Sequence, residues 1–249
     1  MLWRCLHAIA EAGGMKKSCQ DSSNGSKSGI VREGIFGLND GLVATIGLVS
    51  GEALSHQSHF SIVIASLSAI SANMVSMAVG SFLATASEND FMRKEIADQA
   101  RAIRQYPRRE KHHVARLLTE IGLPDPAVPV TTARIVRDGQ RWIRFMAREH
   151  LGIHAHRSET PLKNALVMGI AVVLGSAPPV LPYLLPLSLV AARNLSWATS
   201  LAAAASLGAA KALATRTALV KSLLSFSALV SLSALVGALI GAALGSLRP

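Results

Sequence analysis

The apolar positions of this chain fall in long, nearly uncharged blocks rich in Ala, Leu, Val, Ser and Gly. They run from about Glu33 to Leu54, Phe60 to Ala86, Leu162 to Tyr183, Leu195 to Ala212 and Leu219 to Leu247. Blocks of roughly 18 or more such residues read as membrane spans. The pattern predicts an all-α integral membrane protein with five transmembrane helices. The last block is long enough to tilt in the bilayer. Pro178, Pro179, Pro182 and Pro186 are expected in the turn between the third and fourth blocks, because proline ends helices.

Between the second and third blocks the pattern changes to a polar, charged stretch, which reads as a small helical cytoplasmic domain. Ser87 to Tyr106 continues the second span as one long helix, and Pro107 breaks it. Arg108 to Ile121 forms a second helix with Val114, Leu117, Leu118 and Ile121 on one face, stopped by Gly122. Pro124, Pro126 and Pro129 mark a loop, Thr131 to Arg137 a short helix, and Gln140 to Leu151 another, ended by Gly152. The organisation expected is a disordered cytoplasmic tail over 1–29, spans one and two over 30–87, the helical domain over 88–160, and spans three to five over 161–249.

The formal charge of +10 suits either nucleic acid or a membrane topology signal, and position decides between them. Lys and Arg crowd the N-terminal tail, the middle domain and the loop holding Lys211, Arg216 and Lys221. Ser55 to His59 carries none, and the third-to-fourth loop only Arg193. This alternation follows the positive-inside rule, so the N-terminus and middle domain are expected in the cytoplasm. The charge needs no nucleic acid partner, while membrane lipid is expected against the spans. Leu2 to Ala12 is a poor signal peptide, interrupted by Arg4, His7 and Glu11, and Met15 is an alternative start. The Ala/Arg-rich composition suits a bacterial inner membrane. Cys5 and Cys19 form neither a disulfide framework nor a CxxC pair.

Asp40 carries the strongest chemical signal. An ionisable residue near the middle of a span costs roughly 2.5–3.5 kcal/mol to insert, so it marks a functional site by default. Glu33 lies two turns earlier on the same face. Gly37, Gly41, Gly47 and Gly51 make two GxxxG spacings that admit close helix neighbours. Met77 in the second span adds a soft thioether, and one carboxylate with one thioether makes a mixed site for an ion such as Fe(II). Asn73 and Met74 lie on nearby faces. Each has a plainer reading as well: Asp40 paired with a polar group of another helix, and Met77 and Asn73 as packing and helix–helix hydrogen bonding. The histidines of the middle domain contain no HExxH, and no nucleophile and base can be paired, so an enzyme is not expected. No Gly-rich phosphate loop supports ATP-driven pumping.

Arg32-Glu33-Gly34-Ile35-Phe36-Gly37-Leu38-Asn39-Asp40-Gly41-Leu42-Val43 resembles the first-span signature of the vacuolar iron transporter family. Ser76-Met77-Ala78-Val79-Gly80 resembles its second, and Pro161-Leu162-Lys163 with Leu174-Gly175 and Pro179 to Pro182 its third. The resemblance implies a homodimer with a pore between first and second spans. It implies transport of Fe2+ or Mn2+ out of the cytosol in exchange for protons, with no bound cofactor. It puts Asp40 and Met77 on the translocating pair and Glu33 at the cytoplasmic entrance; Asn73, near Met77 on the second span, is expected to assist them in the pore. It also implies a cytoplasmic metal site, here Glu110, His113, Met146 and His150. Gln99, Ala102, His113 and His150 stand where the family has glutamate, and Ser81 where one commonly follows the second-span glycine. The rival expectation is a metal-responsive or structural membrane protein that keeps the fold without flux.

Overall fold

A computed structural model describes residues 29–55, 57–149 and 160–246. Residues 1–28 of the expected N-terminal tail, both cysteines and His150 lie outside them, and Gly29, expected in the tail, already opens the first helix. All regular structure among the described residues is helical. In chain order it comprises α1 (Gly29–Leu54), α2 (His59–Gln105), α3 (Pro107–Glu120), α4 (Val128–Val136), α5 (Gly139–Glu149), α6 (Pro161–Val180), α7 (Leu189–Thr215) and α8 (Leu219–Gly245). Short 3-10 turns at Asp125–Ala127 and Leu181–Leu184 precede α4 and follow α6. The chain divides into two compact units, one of residues 29–83 with 161–246, the other of residues 84–160.

The first unit is a bundle organised on α1. Its two GxxxG spacings take different neighbours. A Cβ at Gly41 would collide with the Val172 carbonyl, and one at Gly175 with the Leu38 carbonyl, so α1 and α6 touch backbone to backbone. Gly47 faces Gly237 and Gly51 faces Gly241 in the same way along α8. In lipid, where no hydrophobic force draws helices together, such close approach gains dispersion and lets side chains reach opposing carbonyls. Ser233 Oγ donates to the Val43 carbonyl at 2.7 Å, and Ser176 Oγ to that of Gly41 at 3.2 Å. Leu42 and Ile46 of α1 pack with Ala204 of α7 and with Phe226 and Val230 of α8. Val49 and Ala53 pack with Ile62 of α2 and Ala192 of α7.

Among the described residues, four helical stretches reach the length and apolarity a span requires: α1, α2, α6 with its following turn, and α8. The fifth expected span corresponds to α7, 27 residues long like α8. It is not among those four, because Arg193, Asn194, Lys211 and several Ser and Thr residues interrupt its apolar run. Its ends differ from expectation. It begins at Leu189 behind Ser188, whose Oγ caps the Ala191 N–H, so Arg193 is inside the helix instead of a loop. Lys211 is helical too, its ammonium 5.5 Å from the Phe226 ring centre. Pro178 and Pro179 likewise fall within α6. Hydroxyls of α7 satisfy the carbonyls at that end: Thr199 donates to Pro178 O at 2.8 Å and Ser196 to Pro179 O at 2.7 Å.

The second unit uses the end of α2 with α3, α4 and α5. As expected, α2 runs unbroken until Pro107. Ile103, Val114, Leu118, Ile135, Trp142 and Met146 build its apolar core. Of the face read on α3, Val114 and Leu118 are buried and Leu117 partly so, but Ile121 is 60% exposed because it already stands at the C-cap. Gly122 takes φ +88° there, the left-handed conformation that favours glycine. Pro126 and Pro129 sit in the first turns of helical segments and do not mark an open loop; the first turn of a helix has N–H groups without intrahelical partners, so a missing one costs nothing there. Asp138 Oδ1 caps α5 by accepting from the Gln140 and Arg141 N–H groups.

Candidate functional site

Two carboxylates seven residues apart on α1 meet two donors eight residues apart on α2. Asn73 Nδ2 donates to Asp40 Oδ2 at 3.0 Å. Ser81 Oγ donates to Glu33 Oε2 at 3.1 Å. The helices run antiparallel, so the lower-numbered acid meets the higher-numbered donor. Met77 is four residues from each donor and shares their face of α2. Asn73, Met77 and Ser81 thus form one stripe along the acids of α1.

The two carboxylates differ in surroundings. Glu33 is only 8% exposed, and Arg32, largely solvent-facing, places a guanidinium nitrogen 3.1 Å from its other oxygen. Its charge is balanced. Asp40 is half-buried and receives a neutral amide. Its Oδ1 takes no hydrogen bond among the described residues. The adjacent Asn39 Oδ1 is buried with no partner among them either. An unpaired buried acceptor costs about 1–3 kcal/mol, so it asks for a reason. Asp40 presents an oxygen that can accept a hydrogen bond from a cation's hydration water or ligate the ion directly.

Sequence reading named Asp40, Glu33, Asn73 and Met77. It noted Ser81 only as a missing glutamate, and Arg32 and Asn39 only as motif letters. The i, i+4, i+8 spacing of Asn73, Met77 and Ser81 was the available signal, but the facing acids emerge only when α1 and α2 are packed.

In the second unit, Glu110 and His113 come together, with His113 Nδ1 3.9 Å from Glu110 Oε2. Glu110 is 4% exposed, and both its oxygens are engaged. Gln99 Nε2 donates to Oε2 at 3.0 Å, and Arg109 Nε and a terminal nitrogen both donate to Oε1 at 3.2 Å. Arg109 in turn stacks over Tyr106, 4.9 Å from the ring centre. Met146 is fully buried in the apolar core. Among the described residues, no three His, Cys, Asp or Glu side chains are grouped as metal ligands.

A bundle with several helices apolar enough to cross a bilayer, and a hydrogen-bonded carboxylate inside it, defines a multi-pass integral membrane protein. The VIT family model matches residues 31–242, so the chain belongs to the VIT family. Similar proteins include vacuolar iron transporter 1 of Arabidopsis thaliana, 33% identical over 157 residues covering 63% of this chain and 62% of that protein. Vacuolar iron transporter 1 of Eucalyptus grandis is 31% identical over 156 residues, with 62% of each chain covered. A vacuolar iron transporter of Toxoplasma gondii is 25% identical over 167 residues, 66% of this chain and 55% of that one. The matched region thus spans under two thirds of these relatives' own length.

Proposed function

We propose that this protein carries divalent iron or manganese out of the cytosol, in exchange for protons, along the α1–α2 face that holds Asp40 and Met77. The observation that carries this reading is the Asn73–Asp40 hydrogen bond. A neutral amide stabilises the carboxylate and orients it without cancelling its charge, so one oxygen stays available to an incoming cation. Met77 supplies a thioether that a borderline ion accepts and releases readily. Glu33, held by Ser81 and the exposed Arg32, forms the entrance: a cation displaces a guanidinium that solvent already screens. Membership of the VIT family supports cation transport, since the curated relatives are named as iron transporters.

Proton coupling follows from the chemistry of one carboxylate. It binds a metal only when deprotonated, so metal and proton compete for Asp40, and a proton gradient drives release. Two protomers with α2 at their shared seam would complete the path. Supporting this, only 11% of the most apolar stretch of α2 is buried within the chain, against 56% for α6 with its turn. With α7 as the fifth crossing, the alternation of basic segments supports a cytoplasmic N-terminus and helical unit by the positive-inside rule.

The deciding experiment is Fe2+ or Mn2+ flux in proteoliposomes under an imposed proton gradient, for wild type and Asp40→Ala. Flux that depends on the gradient and vanishes in the variant is expected. Equal flux in both would overturn this reading and favour the rival of a non-transporting family member.

A further inference from the structure

We infer that the cleft between the end of α2 and α3 is an anion site that takes a phosphate-bearing group. The cleft, open to one side, offers about 960 Å³, large enough for a small organic ligand. Its lining is basic: Arg108, Arg109, His112, His113 and Arg116 all come from α3. Their spacing, with steps of one, four, five and eight residues from Arg108, sets them along one side of the helix.

Among the described residues the one acid in the lining is Glu110, and both its oxygens are already engaged. One oxygen accepts from the Arg109 guanidinium and the other from the Gln99 amide, within a residue that is almost wholly buried. Three arginines against one satisfied carboxylate leave the cleft cationic before either histidine takes up a proton. A metal ion there would have to displace Arg109 and Gln99 and then sit among guanidinium groups. A phosphate meets the opposite situation. Arg108 has no ion pair or hydrogen bond among the described residues. Arg116 is held only by an exposed contact of 3.7 Å to Glu120, a kind of pair worth little. Both can turn to a ligand at small cost. The planar fork of guanidinium matches phosphate oxygens two at a time, which a point charge cannot do. The same chemistry fits a soluble phosphate ester, pyrophosphate or the headgroup of an anionic phospholipid.

The site owes nothing to transport through the bundle, and its test reads binding alone. The full chain in neutral phosphatidylcholine nanodiscs is titrated calorimetrically with pyrophosphate in metal-free buffer at constant ionic strength. Saturable binding is expected. Loss of one charge-assisted fork predicts about tenfold weaker binding in Arg108→Gln, with Arg108→Lys between the two. Glu110→Gln, which removes the single negative charge, should bind pyrophosphate more tightly than wild type. A second arm repeats the titration in nanodiscs containing phosphatidic acid. Pyrophosphate excluded by that lipid assigns the site to the headgroup, and pyrophosphate bound equally well assigns it to soluble phosphates; either supports an anion site. Arg108 is on the surface, so its variants are expected to fold, which a monodisperse elution profile checks. Absence of binding to both pyrophosphate and phosphatidic acid would overturn the assignment. So would unchanged affinity in Arg108→Gln, or Mn2+ binding that disappears in Glu110→Gln.

Discussion

The Asn73 amide and the Asp40 carboxylate, 33 residues apart in sequence, are joined by a 3.0 Å hydrogen bond between two apolar helices. Replacing Asn73 by Leu keeps the branching of the side chain, at a larger volume, and removes the donor. A hydrogen bond to a charged group contributes about 1.5–3 kcal/mol, so metal affinity should fall about tenfold or more. Metal-dependence curves of flux in proteoliposomes check this; a Leu variant with the wild-type half-saturation would show that the bond does not orient the acid.

Asp40→Asn should abolish flux while leaving the fold intact, since the amide keeps the shape and can still bond to Asn73. Met77→Leu should reduce flux less, because one weak ligand is lost and the packing volume is kept. A metal-sensitive host complemented with each variant, with cell metal measured by mass spectrometry, ranks them: wild type lowest in metal, then Met77→Leu, then Asp40→Asn.

Two glycines should behave in opposite ways. A Cβ at Gly237 would strike the Gly47 backbone, whereas one at Gly80 of α2 meets nothing within 4 Å in the chain. Overpacking typically costs about 1–3 kcal/mol, and here backbone is the obstacle, so Gly237→Val should lower the thermal midpoint in detergent clearly. Gly80→Leu should leave that midpoint nearly unchanged. If α2 forms the protomer seam, Gly80→Leu should instead shift the protein from dimer to monomer in light scattering.

Met146 separates a packing role from a ligand role. It is fully buried beside Val114, Leu118 and Trp142. Met146→Leu should be tolerated, with less than about 1.5 kcal/mol lost, while Met146→Ala should cost about 2–5 kcal/mol. Limited proteolysis of the helical unit reads both. Metal binding lost in Met146→Leu without any loss of protease resistance would assign the sulfur a ligand role instead.

Several boundaries were legible because local chemistry dictates them. Pro107 lacks the N–H that a continuing helix needs, so α2 had to stop there, and Gly122 tolerates the positive φ that ends α3. The two GxxxG spacings announced close approach, since only a missing side chain permits it. They did not say that one would take α6 and the other α8, which depends on where the remaining helices lie. Arg193 and Lys211 lie inside α7, although charge in an apolar chain marks a loop by pattern alone. Long side chains can keep a charged head at a helix end or over an aromatic ring while the backbone remains helical, as Lys211 does over Phe226.

What the order of residues determined alone was the list of apolar stretches, the acid inside the first of them, and the family to which they belong. These are one-dimensional properties, set by how hydrocarbon treats each side chain and by spacing along a helix. Only tertiary structure decided which groups meet. Asp40 could have paired with a cation and become inert; it pairs with a neutral amide. Glu110 could have been a free ligand; Gln99 and Arg109 occupy both its oxygens. The physical reason is that the charge a carboxylate has left to offer depends on the donors that packing brings within about 3 Å of it, and those come from distant parts of the chain.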